Sequence, residues 1–377
     1  MLNFAGLLLT VSAFMQLPAL GASTLWNDLK DAMGWGFLAF AVGMVLPGPF
    51  VSFLVEKYRR NVVCIRAVIV YMAAFAAICA LNRIIPELRT PAFIALRMVE
   101  GGAYAFAQMV LVSTLVTDCS EAGQRTTANY AVAWFQRLAI ALGPAAGLLM
   151  AQWLGGKVIS MGVLVAAFIS IVLIRLVNFP FRAPEITAFH LSRDRFFLVA
   201  GQRLFLHVVI LGVCMGLLAV ALFSFSFFSL LMVGFLLAMG GEVMLGKVEK
   251  NATKLVVGMG LLILAFLAAA VALPWMPKYI APLLAGCGVG LAAARLQISY
   301  IHVSQHCQRG TSQSSFWLSW EMGNAVGMAF ALAVSELDGM QQSWQGWCLG
   351  AGLVLAVASL AWFVCSTHNW YRAHIKR

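Results

Sequence analysis

QRTTANYAVAWFQRLAIALG (residues 124–143) and QRGTSQSSFWLSWEMGNAVG (residues 308–327) align without a gap at an offset of 184, and this alignment decides the architecture. A second pair, VEKYRRNVV (55–63) and VEKNATKLVV (248–257), repeats at an offset near 193. Two matches in the same chain order, each joining equivalent segments, mark a chain of two related halves.

Both repeats lie among long apolar runs. The 377 residues are 62% hydrophobic and 10% charged, far from the roughly 25% charge of a soluble domain. A bilayer core of about 30 Å needs about 20 apolar helical residues. Runs of that length fall at 3–22, 34–55, 62–82, 92–117, 127–153 and 157–178, then at 203–222, 224–245, 253–274, 279–303, 312–335 and 345–366. The expected fold is an all-α membrane protein of twelve transmembrane helices in two six-helix bundles. The bundles are 1–180 and 203–366, with a polar linker at 181–202 and a basic tail at 367–377. The apolar N-terminal stretch lacks a preceding positive region, so it reads as an uncleaved first helix.

The net charge of +11 points to topology rather than to nucleic acid, because Lys and Arg sit in short gaps between the runs. Fifteen basic residues fall on one side and five on the other, which puts both termini in the cytoplasm. The eight cysteines are scattered without CxxC or metal-ligand spacing, so no metal and no cofactor is expected. There is no Walker-type phosphate loop and no HExxH or GxSxG constellation.

Three motifs carry a family resemblance. SFLVEKYRRN (52–61) resembles the G-x-L-x-D-R-x-G-R-R loop of the major facilitator superfamily, with Leu54, Glu56, Lys57 and Arg60 in matching positions. It departs at Ser52 and Arg59, which replace glycines, and Glu56 replaces aspartate. LRMVEGG (96–102) is similar to the family's R-x-x-Q-G motif through Arg97 and Gly101, with Glu100 in place of Gln. LGPAAG (142–147) looks like the G-P-x-x-G motif of its antiporters, through Gly143, Pro144 and Gly147. The resemblance spans essentially the whole chain and is to proton-coupled efflux antiporters in particular. It implies that Glu56, Lys57 and Arg60 form a cytoplasmic gate, that Gly143, Pro144 and Gly147 form a gating point in helix 5, and that helices 5 and 11 flank the contact between bundles.

Charges inside the runs are the candidate functional residues, since each is costly in hydrocarbon. Arg97, Glu100, Tyr104 and Gln108 share one face of helix 4 at i, i+3, i+7 and i+11. They line a substrate cavity, with Glu100 a candidate proton-coupling acid, or Arg97 and Glu100 simply neutralise one another near the outer end of the helix. Glu321 and Arg137 occupy equivalent positions of the repeat, at one predicted depth. They are either fixed partners in packing or a proton-coupling acid with its counter-ion. Trp317, Trp320 and Asn324 beside Glu321, and Trp134 and Gln136 beside Arg137, supply aromatic and hydrogen-bonding walls. Arg295 in helix 10 and His207 in helix 7 complete the cavity candidates, each with a plain packing alternative. Glu242 reads as a partner of Lys247 and Lys250, and FSFSFF (223–228) as the outer turn between helices 7 and 8.

These residues predict a monomeric secondary transporter of the inner cell membrane, exporting a small organic, partly apolar compound against protons by alternating access. Proton-coupled uptake of a small polar or anionic solute is the alternative. A membrane-embedded enzyme or non-transporting sensor is the rival of another class.

Overall fold

The computed structural model describes the chain except residues 22–24, 84, 121–123, 179–187, 246–250, 272, 338–342 and 376–377. Residues 181–187 of the linker read at 181–202, together with Lys247, Lys250, Lys376 and Arg377, lie outside the described residues.

The helices are α1 (Leu2–Gly21), α2 (Leu25–Val45), the short α3 (Val51–Lys57), α4 (Arg60–Cys79), α5 (Pro86–Val110), the single turn α6 (Val116–Asp118), α7 (Arg125–Leu154) and α8 (Gly156–Arg175). They continue as α9 (Gln202–Ala221), α10 (Phe225–Leu245), α11 (Asn251–Ala270), α12 (Ala281–Val303), α13 (Arg309–Ser335), α14 (Trp344–Trp362) and α15 (His368–Ile375). No strand occurs among the described residues.

Eleven of these helices, some with their flanking turns, are long and apolar enough to cross a bilayer. The protein is an integral, multi-pass membrane protein. The remaining long helix is α13, whose 27 residues open with the polar run RGTSQSS and so dilute its hydropathy. The repeat has a structural counterpart here, because α7 and α13 begin on the aligned arginines Arg125 and Arg309.

Boundaries differ from the apolar runs where the backbone continues past them. The helix expected at 34–55 begins at Leu25, ahead of its apolar part, and breaks at Gly48–Phe50 before α3. Two π-helical turns, Leu111–Leu115 and Phe363–Thr367, interrupt otherwise continuous helices, and a third, Met276–Ile280, leads into α12. The turn between α9 and α10 falls at 222–224, where the Ser224 hydroxyl accepts from the Phe227 N–H at 3.2 Å as an N-cap.

The chain divides into two compact units, Met1–Val199 with His306–Leu318, and Ala200–Gln305 with Ser319–Arg377. In the first, α1 packs on α7 and α8, α2 on α5, and α4 on α5 and α8. Val11, Met15, Ala19, Phe75, Ala139, Ile159 and Val163 form a core there. The opening of α13 belongs to this unit: Thr311 Oγ1 donates to Asp194 at 2.5 Å and accepts from the Arg195 N–H at 2.9 Å. Ser315 Oγ likewise accepts from the Leu198 N–H at 2.6 Å. In the second unit α12 packs against α10 and α11, and α9 against α14.

Candidate functional site

Helix α5 folds with the predicted polar stripe inward, and Arg97, Glu100, Tyr104 and Gln108 are all buried. Arg97 Nη1 donates to Glu100 Oε2 at 2.7 Å. The Arg97 side chain is 2% exposed and that of Glu100 fully buried, so the pair lies inside the unit.

Gln16 of α1 ties the pair to the rest of the unit. Its carbonyl accepts from Arg97 Nη1 at 2.5 Å, and its Nε2 donates to Glu100 Oε1 and to Tyr71 Oη, the latter at 2.9 Å. Ser12 Oγ lies 2.9 Å from Tyr71 Oη and donates to the Val163 carbonyl at 2.9 Å. A serine has one hydroxyl proton, so Tyr71 must donate to Ser12, and the chain Gln16, Tyr71, Ser12, Val163 has one direction. The rings of Phe37 and Phe40 cover the guanidinium at 4.9 and 4.6 Å. Sequence reasoning missed Gln16, Tyr71 and Ser12 as members of this site. The available signal was Gln16, an amide well inside the mostly apolar α1.

One turn further along α5, Tyr104 packs between the tilted rings of Tyr71 and Trp317, at centroid distances of 5.8 and 5.6 Å. Gln108 Nε2 donates to Thr10 Oγ1 at 2.8 Å, and Gln136 Nε2 donates to Gln108 Oε1 at 3.3 Å. Arg137, on α7, is buried with its guanidinium 4.5 Å from the Trp134 ring and 5.8 Å from Phe316. The indole N–H groups of Trp134 and Trp317 are buried and have no hydrogen-bond partner among the described residues. This region therefore combines a buried cation, aromatic faces and unused donors within one unit, the chemistry of a site for a solute with acceptor atoms or a π face.

In the second unit, Glu321 is the thirteenth residue of α13, as Arg137 is of α7. At 1.5 Å per residue both lie about 18 Å from their helix starts. Glu321 is 3% exposed, and its Oε1 has no hydrogen-bond partner among the described residues. The same holds for the buried Trp320 Nε1 and Asn324 Oδ1, although Asn324 Nδ2 donates to the Trp320 carbonyl at 2.8 Å. The helix is held there by a close crossing with α9. A Cβ on Gly212 would sit 2.6 Å from the Trp320 carbonyl oxygen, so the backbones meet only because that residue is glycine.

Two cavity candidates have other surroundings. Arg295 grips Glu242 with two hydrogen bonds, Nε to Oε1 at 3.0 Å and Nη2 to Oε2. Glu242 thus takes an arginine 53 residues away as its partner. Both His207 ring nitrogens are engaged, Nδ1 with Ser359 and Nε2 with Thr367, each at 2.9 Å. Its ring stacks on Trp362 at 4.3 Å, which is a packing role.

Among the loop residues, Glu56 accepts from Ser52 Oγ at 3.0 Å and lies 3.4 Å from His190 Nε2. The Lys57 ammonium sits 5.3 Å from the Phe53 ring, and Arg60 opens α4. Nothing in the sequence pattern singles out His190, which is far from Glu56 along the chain. In α7, Gly143 and Gly147 face α1: a Cβ on Gly143 would come within 2.8 Å of the Val11 carbonyl, and one on Gly147 within 2.5 Å of Pro18. Pro144 lies between them inside the helix.

Comparison with known proteins agrees with this architecture. The nucleoside transporter NupG, solved as a mutant, superposes with a TM-score of 0.66 at 13% identity, covering 96% of this chain and 98% of that one. The human organic anion transporter MFSD10 (TETRAN) gives 0.64 at 16% identity, covering 94% and 98%. Curated protein sequences yield no significant match. The profile of the Major Facilitator Superfamily matches residues 2–328. A chain that carries this profile over most of its length and folds as these transporters do is a transporter rather than an enzyme, and it belongs to the Major Facilitator Superfamily.

Proposed function

We propose that this protein is a secondary transporter with twelve spans and cytoplasmic termini, working by alternating access and coupling export of a small organic, partly apolar compound to proton entry. The observation that carries the reading is the Glu321 carboxylate. It is buried mid-helix, and no described group hydrogen-bonds its Oε1. An ionised carboxylate is costly at that depth, so a carboxyl that gains and loses a proton has a different conformational preference in each state. The G-P-x-x-G resemblance of Gly143, Pro144 and Gly147 supplies the direction. The protein acts as a monomer in the inner cell membrane.

The test is flux in vesicles with an imposed pH gradient, across a panel of small organic compounds. Substrate-linked proton movement is the expected outcome. Glu321→Gln retains exchange of substrate for substrate but loses gradient-driven accumulation. Accumulation unchanged by Glu321→Gln would overturn the proton-carrier role.

Uptake of a polar or anionic solute is the second reading. It is favoured by the aromatic-flanked, buried guanidinium of Arg137 and by the names of the two structural neighbours, a nucleoside transporter and an organic anion transporter. Under it, Arg137→Gln raises KM for anionic solutes about tenfold or more, as expected for loss of one charge-assisted contact, and leaves neutral solutes unchanged.

A further inference from the structure

At the end of the second unit that carries the C-terminal helix there is a cavity of about 390 Å³. Its walls come from the first turn of α11, the last turns of α12, Phe363 in the π-helical turn after α14, and α15. Three of its lining residues, His368, Tyr371 and Arg372, stand at i, i+3 and i+4 and share one face of α15.

That face is fixed in place. Tyr371 Oη lies 2.9 Å from His302 Nδ1 of α12, and on the other side the Arg203 guanidinium lies 5.6 Å from the Trp370 ring. His368 and Arg372 also line the cavity. His368 Nδ1 is buried with no hydrogen-bond partner among the described residues. Arg372 is exposed and makes no hydrogen bond or ion pair with them. Ser299, which gives its proton to the Arg295 carbonyl at 2.9 Å, lines the cavity together with the hydroxyl-bearing Thr253. Among the described residues, the lining includes no acidic side chain.

We propose that this cavity binds a phosphate group, as a phospholipid headgroup or as a soluble phosphate. A guanidinium suits phosphate oxygens because its fork of donors matches them in pairs. An imidazole N–H or a threonine hydroxyl adds a directed donor, and the first N–H groups of α11, at Ala252 and Thr253, present the positive end of a helix. The partly apolar wall of Leu255 and Phe363 leaves room for the ester side of a diester.

The experiment uses the purified full-length chain in detergent, with thermal unfolding and native mass spectrometry as readouts. The probes are short-chain phosphatidylglycerol, short-chain phosphatidylcholine and inorganic phosphate. Phosphatidylglycerol is expected to raise the unfolding temperature and to remain bound in the spectrometer. Arg372→Gln should weaken that binding about tenfold, as expected for loss of one charge-assisted contact, without lowering the unliganded unfolding temperature. His368→Phe should weaken it by a smaller factor. Saturable binding of inorganic phosphate with the same Arg372 dependence identifies a soluble phosphate as the ligand; dependence on phosphatidylglycerol alone identifies a headgroup. Binding of every probe unaffected by Arg372→Gln, or no binding of any of the three phosphate-bearing probes, would overturn the proposal.

Discussion

Gln16 makes hydrogen bonds to three buried groups, and two of them carry charge. Replacing it by leucine keeps the size and removes a donor pair and an acceptor, leaving Arg97 and Glu100 each short of a partner. An unsatisfied buried polar group costs about 1–3 kcal/mol. The lower end is expected here, because chains unfolded within a membrane also find partners. Gln16→Leu should therefore lower the unfolding temperature in detergent by a few degrees. Arg97→Gln is the harsher change, since Glu100 is left buried without its cation, at a cost of about 3–5 kcal/mol. Adding Glu100→Gln to it should recover part of that loss, and strictly additive losses in the double variant would show that the two do not act as a pair. The stripe on α5 was readable in the sequence because its spacing is local. Gln16 lies 84 positions from Glu100, and Glu242 lies 53 from Arg295. Such partners are set by helix packing, which periodicity within one helix does not encode.

Helix α13 shows how an element can be placed by its small residues. Gly323 and Gly327 on α13 and Gly212 and Gly216 on α9 both have the four-residue spacing that lets helices cross with backbones in contact. A Cβ on Gly323 would collide with the Val209 carbonyl and lie 3.1 Å from Gly212 Cα. Backbone cannot move aside as a flexible side chain does, so Gly323→Val should cost about 1–3 kcal/mol of overpacking and displace Glu321 two residues away. The check is the unfolding temperature together with gradient-driven flux. Gly350 on α14 has nothing within 4 Å of such a Cβ, so Gly350→Ala should leave both unchanged. The long helices were legible from apolar length alone. The crossing was also written in the sequence as GxxxG, but the spacing gains meaning only when its partner helix is known. The π-helical turns had no sequence signal, because they express how a helix accommodates its neighbours.

At the scale of the whole molecule, the chain order and the compact units disagree in one place. Residues 306–318 follow α12 in sequence yet belong with Met1–Val199. Their attachment is specific: Trp317 packs at a tilt against Tyr104, Gln313 donates to the Asn129 carbonyl at 3.3 Å, and the hydroxyls of Thr311 and Ser315 receive backbone N–H groups of residues 195 and 198. A fragment of residues 1–199 lacks all of these partners. It leaves two backbone donors, two backbone acceptors (the carbonyls of Asn129 and Phe196) and a large aromatic face uncovered, and each buried group left unpaired costs about 1–3 kcal/mol. The fragment should therefore be cleaved by protease much faster than the same region of the intact chain, with cuts concentrated near residues 192–199. Thr311→Val in the intact chain should reproduce part of that sensitivity, since it removes the acceptor for the Arg195 N–H and the donor to Asp194 while keeping the side chain's shape. Equal protease resistance of the fragment and the intact chain would show that residues 306–318 contribute nothing to the first unit.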